Sequence, residues 1–180
     1  MKNKLYRKKV NIALNKEERQ NRLNELLAER KEKEVLQSRK QKHNEVKELF
    51  EEVYENSLDM EILEFSKSNL IINDFSETFP IAFWNRIEWE NDIVNKLELN
   101  IQDIENIPEI LRSKGFDPST SIFIFWGYDS YPCIKTTINT TLLSKIEEIV
   151  WLGTDLYIFC PNQRFVIEFF HDDSINIGWV

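Results

Sequence analysis

From residue 16 to residue 56 the chain reads KEERQNRLNELLAERKEKEVLQSRKQKHNEVKELFEEVYEN, a stretch rich in Glu, Lys, Arg, Leu and Gln. All are good helix formers. Its apolar positions fall in two patches. Leu23, Leu26, Leu27, Val35 and Leu36 form the first; Val46, Leu49, Phe50, Val53 and Tyr54 form the second, with better helical spacing. The polar run QSRKQKHNE separates them, so no heptad repeat is sustained and a long coiled coil is not expected. The pattern predicts one long charged helix, bent or frayed near residues 37–44, whose second patch docks on the body of the protein. Asn15 and Glu18 fit a capping box, which would leave residues 1–14 loose. Glu18–Arg22 and Glu29–Lys33 have the favourable order for ion pairs one turn apart.

No Pro occurs before Pro80 and no Gly before Gly115. Beyond residue 57 the pattern alternates between strand and helix. Asn69–Asn73 and Phe79–Trp84 read as strands by their aromatic and β-branched content. Trp89–Leu99 is ambiguous. Ile101–Ser113 carries apolar residues at helical spacing, with Gly115 just after it as a stop. SIFIFW (121–126) is the continuous apolar run of a central strand. Tyr131–Thr136 reads as another strand. Asn139 opens an amphipathic helix through LLSKIEEIV, whose Leu142, Leu143, Ile146, Ile149 and Val150 share one face. Three short strands follow, Asp155–Cys160, Phe165–Phe170 and Ser174–Val180, joined by connections short enough for antiparallel hairpins. The expected fold is α+β, a mostly antiparallel sheet packed by two or more helices, with the long charged helix at its N-terminus.

Charge divides the chain the same way. Residues 1–57 hold 15 Lys/Arg against 11 Asp/Glu, and residues 58–180 hold 8 against 20, so a net of +4 precedes a net of −12. The expected organisation is therefore a basic helical extension over 1–57 and an acidic α+β domain over 58–180. An acidic domain repels phosphates, which argues against direct nucleic-acid binding. It attracts a basic protein partner from a distance; ordinary solubility is the competing explanation. No run has the ~18 apolar residues of a membrane helix. MKNKLYRKKVNIAL lacks the apolar core of a secretory signal, so a cytoplasmic location is expected. The basic residues Lys2, Lys4, Arg7, Lys8 and Lys9 fit a solvated tail better than a nucleic-acid or lipid contact. Cys133 and Cys160 sit in apolar, strand-like surroundings and read as buried free thiols.

Candidate chemistry is sparse. GxxxxGK[ST], GxGxxG, HExxH, GxSxG and CxxC are all absent. Glu168, His171, Asp172 and Asp173 cluster near the C-terminus and raise the question of a metal site. Glu168 and His171 are three apart, however, and odd spacing on a strand points them to opposite faces. A hairpin turn at His171-Asp172-Asp173 accounts for the cluster, because Asp tolerates turn geometry. Glu168, interrupting the apolar run FVIEFF, reads either as a solvent-facing residue or as part of an exposed binding face. Glu88, Glu90 and Asp92 would share a face on a strand and fit a solvated acidic edge better than a Mg²⁺ site. Trp126, Tyr128 and Asp129 follow the central strand and supply either an interface anchor or core packing at a turn.

SIFIFWGYDS (121–130), NTTLLSKIEEIVWLGTDLYIF (139–159) and RFVIEFFHDDSINIGW (164–179) together resemble the small α+β immunity proteins of bacterial contact-dependent or polymorphic toxin systems. The resemblance implies a non-enzymatic protein that binds a cognate toxin domain, often a nuclease, and blocks it inside the producing cell. It carries over no catalytic residue, metal or cofactor. The long helix lies outside the resembling region. On this reading Trp126, Tyr128, Asp129, Glu168, Asp172 and Asp173 are the expected partner-binding residues, with carboxylates meeting the toxin's Lys and Arg while aromatics fill apolar contacts. Two other readings compete with it. One is a scaffolding module working through its long helix; the other is a metal-dependent hydrolase using Glu168, His171 and an Asp.

Overall fold

In the computed structural model the first helix, α1 (Lys2–Tyr54), runs without interruption. The structure describes residues 2–83, 86–91, 94–127, 131–153, 155–170 and 174–180, with side chains from residue 16 onward. Asn15 lies inside this helix, so the expected capping box is not its start. Residues 2–14 contain no Gly or Pro, and nothing in them stops helix propagation. The helix ends without a glycine. Glu55 and Asn56 take positive φ values of 49° and 60°, and Ser57 N–H returns to Tyr54 O at 2.7 Å. Asn is a usual substitute for Gly at such a left-handed stop.

Internal packing divides the chain into two units, Met1–Gln41 and Lys42–Val180. In the first, every described side chain from Lys16 to Gln41 is exposed. The ion pairs that form are Arg22–Glu25 at 2.9 Å and Arg30–Glu34 at 2.8 Å, rather than Glu18–Arg22 and Glu29–Lys33. Exposed pairs of this kind add only ~0.3–0.5 kcal/mol each. Leu23, Leu26, Leu27, Val35 and Leu36 are all exposed.

The second unit is built on a seven-stranded antiparallel sheet of order β1-β4-β3-β5-β6-β7-β2. Its strands are β1 (Glu61–Ile62), β2 (Asn95–Asn100), β3 (Ser121–Trp126), β4 (Ile134–Thr137), β5 (Leu156–Cys160), β6 (Phe165–Phe169) and β7 (Ser174–Trp179). Both faces are covered. One face packs on Val46, Phe50, Val53 and Tyr54 of α1, on a 3₁₀ turn (Ile101–Asn106), and on α3 (Ile107–Ser113), α4 (Thr140–Leu143) and α5 (Ile146–Val150). The other packs on α2 (Phe65–Thr78) and the segment that follows it. Double coverage explains why β3 and β5 read as near-continuous apolar runs, and β6 too apart from Glu168.

Several expected elements are revised. Asn69–Asn73 is the middle of α2, not a strand. Ser68, Ile72, Phe75 and Phe79 recur at helical spacing and are buried or half-buried, and this longer period overrides the local Leu-Ile-Ile run. Phe79–Trp84 yields only an isolated bridge between Ile81 and Ile87, and Trp84 lies outside the described residues. Glu88 and Glu90 are exposed on a turn rather than a strand, and Asp92 lies outside the described residues. The helix expected after Asn139 is two short ones. Asn139 caps the first through its side chain, which accepts from Leu142 N–H at 2.9 Å. At the break, Lys145 Nζ donates to Val53 O at 2.6 Å, a cation on a terminal carbonyl of α1. Tyr54 Oη donates to Leu142 O at 3.1 Å. The end of α1 is thus held by hydrogen bonds as well as by packing.

Phe50 is fully buried and meets Tyr54 at 5.3 Å and Trp126 at 6.4 Å between ring centroids. Phe50→Ala is expected to cost about 3–5 kcal/mol in urea denaturation. A loss under about 1 kcal/mol would mean that the end of α1 adds little to this core.

Candidate functional site

Sheet register brings several strand ends together. Trp126 lies opposite Leu156, Leu156 opposite Phe169, and Phe169 opposite Ile175. The connections leaving β3, entering β5 and joining β6 to β7 therefore issue from one end of the sheet. Of the six expected partner-binding residues, Trp126 and Glu168 lie on strands that end here. Tyr128, Asp129, Asp172 and Asp173 are outside the described residues, as is His171. The two that are described have interior roles.

Trp126 is 1% exposed. Its Nε1–H donates to Ile149 O at 2.9 Å, and its ring meets Tyr131 edge-on at 5.8 Å. Of the two readings offered for it, the structure shows core packing at a strand end. Glu168 is 0% exposed, so neither a solvated position nor an exposed face describes it. Its Oε1 accepts from Tyr157 Oη at 2.8 Å and its Oε2 from Trp89 Nε1 at 2.5 Å. Arg86 Nε stands 3.8 Å from Glu168 and 3.4 Å from Asp155, whose side chain is 2% exposed. The guanidinium also stacks on Phe170 at 3.9 Å. One cation thus serves two buried carboxylates.

The cluster is electrostatically costly. Burial pushes the Glu168 carboxyl above its ordinary range, although Tyr157, Trp89 and Arg86 all favour its charged form. Burial, then the charge and hydrogen bond of Glu168, raise the Tyr157 phenol well above its usual value. Two buried polar atoms, Arg86 Nη2 and Asn176 Oδ1, have no hydrogen-bond partner among the described residues. Asn176 lies directly opposite Glu168. Trp89 reaches Glu168 only because residue 178 is glycine: a Cβ there would overlap the indole ring.

Arg86, Trp89, Asp155 and Tyr157 were not among the expected residues. A signal for them existed: a Glu inside an apolar run needs buried donors, and Arg86, Trp89 and Tyr157 supply them from segments of mixed apolar and polar character. Sequence separation hid the pairing, since Trp89 is 79 positions from Glu168. Among the described residues no group of three or more His, Cys, Asp and Glu is placed to hold a metal ion. Both cysteines are buried and free, and burial pushes the Cys133 thiol up to about 12, where it is a poor nucleophile. A pocket of about 280 Å³ beside Tyr157 is lined by Ile72, Phe75, Ser76, Ile81, Phe125 and Gly127; among the described residues Tyr157 is its one titratable lining group.

Two large aromatics of the second unit are exposed. Trp151 follows α5, beside the exposed Glu147 and Glu148, and is 67% exposed; Phe83, three residues before Arg86, is 92% exposed. Gly127 N–H donates to Asp155 O at 2.8 Å, which ties the segment after Trp151 to the end of β3.

Residues 47–178 match the family model described as CdiI immunity protein EcoliA0-like. The chain belongs to this family of contact-dependent inhibition immunity proteins. No curated protein matches the chain. The match starts within the buried end of α1 and takes in all of the sheet except Trp179, together with the Arg86–Glu168 cluster. It excludes residues 1–46. As an immunity protein the chain has a cognate toxin as its implied partner and neutralises it. The matched region holds 9 Lys/Arg against 24 Asp/Glu, a net of −15, while residues 1–46 hold 14 against 7, a net of +7. The charge division seen in the sequence is thus sharper at the family boundary than at residue 57.

Two outcomes are expected from the cluster. Gly178→Ala displaces Trp89 from Glu168 and lowers stability by about 1–3 kcal/mol in chemical denaturation; an unchanged midpoint would mean that the indole can move at no cost. The second concerns pH. A carboxyl whose pKa is raised on folding binds more protons folded than unfolded, so its contribution falls as pH climbs above the ordinary value of 4.5. The stability of wild type relative to Glu168→Gln is therefore expected to decline from pH 4.5 toward neutrality and then level off. A difference that grows with pH would reverse the sign and make Arg86 dominant over burial.

Proposed function

We propose that this immunity protein neutralises a basic toxin domain by covering it with the acidic end of its sheet. The observation that carries the reading is the net charge of −15 over the family-matched region. Such a surface steers a cationic partner and meets Lys and Arg that otherwise grip phosphates, which points to a nuclease as the toxin. Asp129, Asp172 and Asp173, together with Tyr128, are the residues expected to meet the toxin. Trp126 and Glu168 act from beneath, by holding the ends of β3 and β6. Trp151 and Phe83 offer the large rigid aromatic area that anchors many interfaces.

In this reading the acidic α+β domain, residues 58–180, does the work, and residues 1–57 are a basic helical extension of which the last turns are built into the core. Inhibition is by occlusion, with no bond made or broken. It takes place in the cytoplasm of the producing cell, where the toxin would otherwise act.

Association with the cognate toxin domain is the measurement that tests this. The association rate is expected to fall about tenfold or more between low and high salt. Asp129→Lys, Asp172→Lys and Asp173→Lys should each slow it several-fold. A flat salt response with full growth protection by the three Lys variants would rule out the electrostatic account.

A further inference from the structure

The two edges of the sheet are unlike. β1, at one edge, has two residues. β2, at the other, has six, each paired with β7 on its inner side. Among the described residues no strand pairs with its outer side. An edge of this length presents an outward N–H and C=O at every second residue, a template for another strand. Natural edges are commonly protected by proline, by a bulge or by charged side chains, whose effect on a second strand depends on the register in which they meet. β2, Asn95-Lys-Leu-Glu-Leu-Asn100, has no proline, keeps an unbroken register with β7 and carries one charge of each sign.

We propose that β2 pairs with β2 of a second copy of this chain, antiparallel, about a two-fold axis through Leu97. Lys96 and Glu98 lie on one face of the strand, 3.5 Å apart. Leu97 and Leu99 lie on the other and pack partly buried against the larger core. A two-fold axis perpendicular to the sheet keeps each face continuous across the pair, so only residues of like parity can face each other. An axis at Leu97 sets Lys96 opposite Glu98 of the second copy, twice, and Leu97 opposite Leu97. The four charges then alternate in sign in both directions. Moving the axis to Lys96 or to Glu98 brings like charges face to face, which is destabilising. The strand is therefore self-complementary in one register and self-repelling in its neighbours. The partner is the chain itself, and the interface is isologous. The axis also points the two β3–β7 ends in opposite directions, so self-pairing covers neither.

Sedimentation of the full-length protein over a concentration series tests this. The wild type is expected to dimerise. Lys96→Glu alone, or Glu98→Lys alone, surrounds the axis with four like charges and should weaken the dimer about tenfold or more. The double variant Lys96→Glu/Glu98→Lys exchanges the signs, restores the alternation and should restore the dimer. Circular dichroism of each variant confirms that the fold is retained. A wild type that stays monomeric overturns the proposal. So does a dimer that both single variants leave unchanged, which would be using another surface. A monomer whose single variants lose toxin binding would also overturn it, assigning the edge to a strand of the toxin.

Discussion

Burial of both faces of the sheet is the constraint on which the rest of the second unit depends. Side chains alternate faces with a period of two, so a slip of one residue in any central strand would exchange its two sets of contacts. In β6 the alternation sends Phe165, Ile167 and Phe169 to the face covered by α1, α3, α4 and α5, and Val166 to the face covered by α2. Glu168 goes with Val166. The polar row Tyr157, Glu168, Asn176 and Glu98 then crosses β5, β6, β7 and β2. Its inner members are buried and its last member is exposed on the edge strand. The same register aligns the ends of β3, β5, β6 and β7. The buried polar row and the alignment of these strand ends are therefore two consequences of one register.

A buried carboxylate in such a row is tolerable only with fixed donors around it. Tyr157 comes from the neighbouring strand, and its position follows from register alone. Trp89 and Arg86 come from the segment after α2, which has little regular structure of its own. Their hydrogen bond, ion pairs and ring contact hold that segment against the sheet. Gly178 completes the arrangement by leaving room for the Trp89 ring. The cluster thus specifies where a long irregular connection lies, a task that nonspecific apolar burial performs poorly because it is indifferent to direction.

Legibility in the sequence followed the length and purity of each pattern. β3, β5 and β6 were readable because each is a largely apolar run bounded by polar residues, and β7 because its apolar residues alternate with small or polar ones. The second patch of α1 was readable because Val46, Phe50, Val53 and Tyr54 recur on one face. α2 was not, because Leu70-Ile71-Ile72 looks like a strand in a short window, while the deciding positions Ser68, Phe75 and Phe79 are spread over three turns. The break between α4 and α5 depends on a hydrogen bond from Lys145 to Val53, a contact across 92 positions that no local pattern announces. β1, with two residues, is too short to carry a pattern. Of the site, the strands that carry Trp126 and Glu168 were visible as apolar stretches. The interior position of Glu168 was not, since a Glu flanked by aromatics reads the same whether its donors are water or protein.

The buried cluster also bears on how charge acts at the surface. Of the 24 carboxylates in the family-matched region, Glu168 and Asp155 are enclosed beside Arg86, and their field is largely answered within the protein. The field outside the protein comes mainly from exposed carboxylates such as Glu147 and Glu148. Screening limits each of these to about 8–10 Å at physiological salt, so charges near the contact decide the encounter and distant ones merely add to solubility.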